Sequence, residues 1–84
     1  MGTRVDEPVK AGVVFGPEGI KPVWFIWKKR RYEVRDVTMR WQTKEGSATI
    51  LHLGVTDGAN VFELTCNQQT LTWRLAGVEA HGCE

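Results

Sequence analysis

Apolar and polar residues alternate along most of this 84-residue chain. The alternation is strict from Lys21 onward, and side chains two residues apart lie on the same face of a β-strand. No window shows the three- and four-residue apolar spacing of an amphipathic helix. The pattern therefore predicts an all-β protein with one face of each strand buried.

The stretch at residues 22–35 reads PVWFIWKKRRYEVR and carries the clearest hairpin signal. It consists of an aromatic strand, a basic turn and a second alternating strand. With Lys29 and Arg30 as the central turn residues, Trp24 pairs with Arg35 on the face opposite the core, where an indole and a guanidinium can stack. The sequence thus predicts a hairpin that is both aromatic and basic.

The remaining patterns predict an antiparallel meander of five to six strands, curled into a small barrel or half-barrel that protects its edges. The third strand needs a bulge near Arg35 and Asp36, because its apolar phase shifts there by one residue. Asp57-Gly58 and Gln68-Gln69 are the expected later turns, with a loop over residues 43–48. The predicted strands are 9–15, 21–27, 31–42, 49–55, 60–66 and 70–78.

The chain is long enough for a single domain, residues 1–84, with a modest core. We expect an ordered part at residues 9–79 and loose ends at 1–8 and 80–84. The predicted core consists of the inward-phase side chains: Val23, Phe25, Trp27, Tyr32, Val34, Val37, Met39, Trp41, Leu51, Leu53, Phe62, Leu64, Leu71, Trp73 and Leu75.

The apolar pattern resembles that of a family of small uncharacterised bacterial all-β domains, with a run like F-x-W-x-x-R-x-Y-x-V-x-x-V-x-x-x-W. The run here comprises Phe25, Trp27, Arg31 (one place later than the commonest spacing), Tyr32, Val34, Val37 and Trp41. Later blocks are Phe62-Glu63-Leu64 and Trp73-Arg74-Leu75, so the resemblance covers about residues 7 to 78. The first turn, Lys28–Arg31, lacks the glycine often found there. The resemblance implies a fold and no established reaction.

The net charge of +1 conceals a strong asymmetry. Residues 21–41 hold seven basic and two acidic residues, a net charge of +5, whereas the other residues hold four basic and eight acidic ones, a net charge of −4. The local field decides which partners approach a surface. A basic surface beside an aromatic ring is typical of modules that contact nucleic acid, single-stranded or duplex.

We therefore interpret the chain as a non-enzymatic binding module that contacts nucleic acid through this hairpin. The cations would bind phosphates, and an exposed Trp24 would stack on a base. The alternative for the cations is a polar hairpin tip that protects a sheet edge. The alternative for Trp24 is coverage by residues 9–15. The candidate nucleic-acid-binding residues are Trp24, Lys28, Lys29, Arg30, Arg31, Arg35 and Arg40.

The alternative function is a protein-interaction or self-association module that uses a strand edge or a Trp24/Ile26 patch. Catalysis is not expected, because a predicted outer row of His52, Glu63 and Arg74 has no activated nucleophile beside it and is best explained as a charge ladder.

No cofactor or metal site is expected, since His81 and Cys83 offer only two ligands and structural zinc takes four. Cys66 is expected to be a buried reduced thiol, although a disulfide with Cys83 is open. There is no signal-peptide pattern and no apolar run near 18 residues, so we expect a cytoplasmic protein without membrane association.

Overall fold

The computed structural model describes residues 2–17 and 19–80, and it confirms an all-β antiparallel meander. Seven strands form one sheet in the order β3-β2-β1-β7-β6-β5-β4, in which all neighbours are antiparallel. The strands are β1 (Gly2–Gly16), β2 (Gly19–Trp27), β3 (Arg30–Glu33), β4 (Asp36–Glu45), β5 (Ala48–Thr56), β6 (Asn60–Asn67) and β7 (Thr72–Ala80).

The predicted count of five to six strands is wrong because the expected third strand is two strands. The Val34 amide still donates to Val23 O in β2 (3.0 Å), whereas the Arg35 amide donates to Thr56 O in β5 (2.8 Å). The chain thus changes partner between these two residues, and β3 and β4 end up as the two edges of the strand order. No ladder joins those edges within the described residues, so the sheet is not closed into a barrel, the first of the two expected forms.

The first strand is much longer than expected. We predicted loose residues at 1–8, yet β1 begins at Gly2 and pairs with β7 from Gly2↔Glu79 to Val9↔Trp73, with an irregularity between Arg4 and Glu7. Its second half pairs with β2, from Lys10 to Gly16. β1 therefore connects the two halves of the sheet, while residues 81–84 of the expected loose tail lie outside the described residues.

The core lies on the inner face of the curled sheet. Phe25 of β2 meets Phe62 of β6 edge to face, with ring centroids 5.0 Å apart. Three strand spacings separate β2 from β6 in the strand order, or about 14 Å in a flat sheet. The sheet must therefore curl for these rings to touch. The fully buried cluster consists of Phe25, Leu51, Leu53, Val55, Phe62, Leu64, Cys66 and Leu75.

The pairing between β5 and β6 differs from the one that a two-residue Asp57-Gly58 turn implies. Each β5 residue pairs with a β6 residue two positions further along the chain. The turn before β6 spans Asp57 to Asn60 rather than two residues, since Thr56 pairs with Val61. The Asp57 carboxylate accepts hydrogen bonds from the Ala59 and Asn60 amides, which holds this longer turn. The inner rows are Leu51–Cys66–Trp73, Leu53–Leu64–Leu75 and Val55–Phe62–Val78.

Three predicted core residues are exposed: Met39 at 62%, Trp41 at 37% and Leu71 at 69%. For the first two, the cause is an irregularity between Val37 and Met39, which places Thr38 as an extra residue in β4. Beyond it Met39 pairs with Gly54 and Trp41 pairs with His52, on the outer face. Leu71 instead lies in the β6–β7 turn with a left-handed φ of 60°.

Candidate nucleic-acid interface

The basic hairpin turns at Lys28 and Lys29, one residue earlier than predicted. Both residues have positive φ, 54° and 64°, and Trp27 pairs directly with Arg30. Two central residues with left-handed φ match the type I′ turn, whose twist suits a two-residue hairpin. Residues with side chains normally disfavour this conformation, and the turn contains no glycine or asparagine that would have indicated its position. The structure confirms a hairpin here but corrects its register.

The hairpin tip lies beyond the last β1–β2 pair, because β1 turns there from β2 to pair with β7. The last pair between β1 and β2 is Lys10↔Ile26, so residues 27–30 continue as a two-stranded ribbon. Residues 28–31, all cationic, are exposed. Since β3 is also an edge of the sheet, the tip presents these cations to solvent from the turn and from both faces.

Three of the tip cations lie over aromatic rings. Lys28 Nζ is 5.1 Å from the centroid of the Trp27 ring, and the Arg30 guanidinium carbon is 5.9 Å from that of Tyr32. On the other face, the Arg31 guanidinium carbon is 4.9 Å from the Trp24 ring. Cation–π contacts at these distances contribute about 0.5–1 kcal/mol each at exposed sites. The rings therefore help to hold the cations in place.

Trp24 is half-buried, because its indole lies against Gly12 in the neighbouring strand. A Cβ at Gly12 would fall 2.2 Å from the indole Nε1, so the ring occupies the space of the missing side chain. Its direct partner on β3 is Glu33 rather than the predicted Arg35, and Glu33 Oε2 holds Arg31 Nε at 2.7 Å. Of the two alternatives for Trp24, coverage by residues 9–15 accounts for much of its surface.

The other two predicted phosphate-binding residues lie elsewhere. Arg35 packs on the β5–β6 turn, with Nη1 2.9 Å from the position that a Cβ on Gly58 would take. Because Thr38 is an extra residue in β4, Arg40 pairs with Leu53 on the inner face of the sheet. Its Nη1 lies 3.9 Å from the position that a Cβ on Gly19 would take, at the start of β2 and away from the hairpin turn. The structure therefore groups residues 28–31 with Trp24 and separates Arg35 and Arg40 from them.

One further cation belongs to this surface and was missed from the sequence. Lys10 pairs with Ile26, which pairs with Arg31, so the three residues form one row across the outer face. Lys10 is exposed. The signal that could have indicated an outward Lys10 is the alternation with Val9 and Ala11, which pack against the core. Its place beside Ile26 depends on the pairing of β1 with β2, which the sequence alone did not indicate. We define the cationic tip as Lys10, Lys28, Lys29, Arg30 and Arg31.

The outer face of β4 to β6 carries a second polar group, and the predicted row is only partly correct. His52 Nδ1 lies 3.3 Å from Glu63 Oε2, and its Nε2 lies 2.7 Å from Thr43 Oγ1. The Trp41 ring stacks on the imidazole at 4.9 Å. Arg74 instead donates to Asp6 on β1, with Nε 2.9 Å from Oδ1. These contacts fix the imidazole between strands, and we interpret them as a cross-strand polar ladder.

The thiol of Cys66 is buried and has no disulfide partner among the described residues, and burial raises its pKa. Cys83, with which the sequence leaves a disulfide open, and His81, considered with Cys83 as a ligand pair, lie outside the described residues. Among residues 2–17 and 19–80, no cluster of three or more His, Cys, Asp or Glu side chains is placed to hold a metal ion. No helix that could cross a membrane occurs within the same described residues.

Comparison with known proteins gives no relative from which a function could be transferred. No family model, no curated protein and no solved structure matches this chain. The resemblance to small bacterial all-β domains stays a prediction.

Proposed function

We propose that this protein is a non-enzymatic binding module that contacts the phosphate backbone of nucleic acid through the cationic tip. The observation that carries the proposal is the run of four consecutive exposed cations at residues 28–31, on a hairpin ribbon that continues past its last pair with β1, Lys10↔Ile26. Nucleic-acid affinity is dominated by such cations, because phosphate binding releases condensed counterions.

The charge balance at the tip supports this role. Among the described residues, Lys28, Lys29 and Arg30 take part in no ion pair, and only Arg31 is paired, with Glu33. That pair is itself exposed, with side-chain exposures of 57% and 66%, so a phosphate can approach Arg31 from solvent. Several cations thus remain available to a polyanion.

The test removes two cations without harming the fold. In the double variant Lys28→Asn and Lys29→Gly, the turn receives the dipeptide that type I′ geometry prefers, so weaker binding cannot be attributed to unfolding. A matched control, Lys21→Gln with Lys44→Gln, changes the net charge equally at two exposed lysines outside the tip. Fluorescence anisotropy with a labelled DNA oligonucleotide, from about 50 to 200 mM salt, measures both affinity and salt dependence.

We expect the turn variant to bind more weakly and to lower the slope of log K against log salt by up to about 1.8, since each phosphate contact contributes about 0.9. The control should retain the wild-type slope. Absence of binding at low salt would refute the proposal, as would an equal loss in both variants.

Self-association is the second candidate, and the outer face of β4 favours it. Met39 and Trp41 are exposed there beside Gly54, and they line a hollow of about 390 Å³. Exposed apolar surface of this kind is typical of protein interfaces. Sedimentation velocity over a concentration series should show an oligomer that Met39→Ser weakens, while Val14→Ser, at another exposed apolar residue, does not. A monomer at all concentrations would rule out this candidate.

A further inference from the structure

We infer that the cationic tip enters a groove of duplex nucleic acid and contacts the phosphates of both strands. It would not work by stacking the bases of a single strand. The inference rests on the proposed function and specifies the partner of the same site. It follows from two observations, the two-faced placement of the cations and the coverage of the neighbouring rings.

The tip cations are distributed over both faces of the ribbon. Arg30 lies over Tyr32, whose ring meets Phe62 of the core at 5.2 Å, so Arg30 is on the core-facing side. Arg31 lies over Trp24 on the opposite side, in the row that also contains Lys10. A single nucleic-acid strand that follows one face of the ribbon would contact only some of these cations. Two phosphate backbones, one on each side of the ribbon, would contact the cations of both faces.

The dimensions of the ribbon fit a duplex groove. Its two strands lie about 4.8 Å apart, and the major groove of B-DNA, about 12 Å wide, admits a two-stranded β-ribbon with its side chains. The turn has only two residues, Lys28 and Lys29, so the leading edge of the ribbon is narrow and entirely basic. The walls of such a groove carry the phosphates that lateral arginines would reach.

The rings near the tip are poorly available for base stacking. Proteins that bind single strands use aromatic faces open to the bases. Here Trp24 lies against Gly12 with Arg31 over its ring, and Arg31 is held by Glu33. Tyr32 is stacked on Phe25 at 5.0 Å. A base would have to displace these groups before it could stack.

Anisotropy titrations with a labelled duplex of about 20 base pairs, and with one of its strands alone, test the inference at low salt. The variants are Arg30→Gln and Arg31→Gln, one for each face. Arg40→Gln is the matched control, because Arg40 is exposed but lies away from the tip. Circular dichroism and a urea midpoint establish that each variant is folded.

We expect the duplex to bind more tightly than the single strand. Each tip variant should weaken duplex binding by about threefold or more and lower the salt slope by about 0.9, while Arg40→Gln has no effect. If only one of Arg30→Gln and Arg31→Gln weakened duplex binding, the inference that the tip contacts both strands would be overturned. Equal or tighter binding of the single strand, lost in Trp24→Leu, would overturn the inference and leave the proposed function standing. Binding of neither oligonucleotide would overturn both.

Discussion

The contact between Trp24 and Gly12 makes a sharp prediction about stability. Substitution of Gly12 by alanine places a Cβ 2.2 Å from two atoms of the indole and 2.6 Å from a third. An ordinary carbon contact needs about 3.5 Å or more, so the ring or the strand must shift by more than 1 Å. The φ of Gly12 lies outside the left-handed range, so the effect of the substitution comes from this overlap.

The expected change in the free energy of unfolding is the difference between the cost of overpacking and the gain from a less flexible backbone. Overpacking typically costs about 1–3 kcal/mol, whereas replacing glycine by alanine within a strand recovers roughly 0.5–1 kcal/mol of backbone entropy. We expect Gly12→Ala to lower the free energy of unfolding by about 1–2 kcal/mol. For a domain of this size that corresponds to a decrease in Tm of roughly 5–15 °C.

A matched control is available in the same strand. A Cβ at Gly16 would have no atom within 4 Å, so Gly16→Ala should be neutral or slightly stabilising. Urea unfolding followed by circular dichroism measures both variants, and tryptophan emission reports whether the indole moves into water. In the double variant Gly12→Ala, Trp24→Leu, the penalty of the alanine should largely disappear. The reasoning is refuted if Gly12→Ala and Gly16→Ala unfold at the same urea concentration.

Three further predictions concern the core and the turns. Leu53→Ala, at a fully buried position, should lower the free energy of unfolding by about 2–5 kcal/mol in urea melts. Leu71→Gly should raise it by about 1 kcal/mol in the same assay, because Leu71 has a φ of 60° and is 69% exposed; unchanged stability would contradict this account of the turn. Burial raises the pKa of Cys66, so the folded state holds that proton more tightly, and stability should fall as pH rises above the unfolded thiol pKa of about 8.5. The decrease should be smaller in Cys66→Val, and identical pH profiles for the two proteins would contradict it.

The period-two pattern predicted much of the sheet because hairpins are local. In β5 and β6 the inward phase of Leu51, Leu53, Phe62 and Leu64 is confirmed by their burial. When a two-residue turn moves by one position, or lengthens to four residues, the cross-strand partner changes by two residues. Such a change keeps each side chain on its own face of the sheet. The faces were therefore predictable where the register was not.

The period-two pattern did not predict the first half of β1, where a charged residue faces inward and is hydrogen-bonded to a partner. Glu7 lies in β1 among positions that read as a polar lead-in, yet its Oε1 accepts a hydrogen bond from Trp27 Nε1 at 2.8 Å. Asp6, with a φ of 55°, accepts from Arg74 at the irregularity of the same strand. Both contacts join residues distant in sequence. No local pattern could therefore indicate that this acidic segment continues the strand.

For the candidate site, the sequence predicted the cations at residues 28–31 because they are contiguous. Arg35 and Arg40 were assigned to the same surface by counting alternate residues along one strand, 31–42, with a single bulge near Arg35 and Asp36. The change of partner at Val34 and Arg35, followed by the extra residue Thr38, breaks that count twice. Irregularities of this kind depend on the tertiary contacts of the whole sheet.

The same irregularities place the exposed indole of Trp41 on a different strand from the cationic tip. Thr38 turns Trp41 outward on β4, where it is 37% exposed, and the β1–β2 pairing draws Trp24 onto Gly12 beside the cationic tip. The exposed Trp41 indole thus lies on β4, whereas residues 28–31 of the cationic tip lie on the β2–β3 hairpin. A binder of single strands needs both kinds of group along one path. Because this fold divides them, each surface is expected to act independently, the tip through charge and the outer face of β4 through apolar contact.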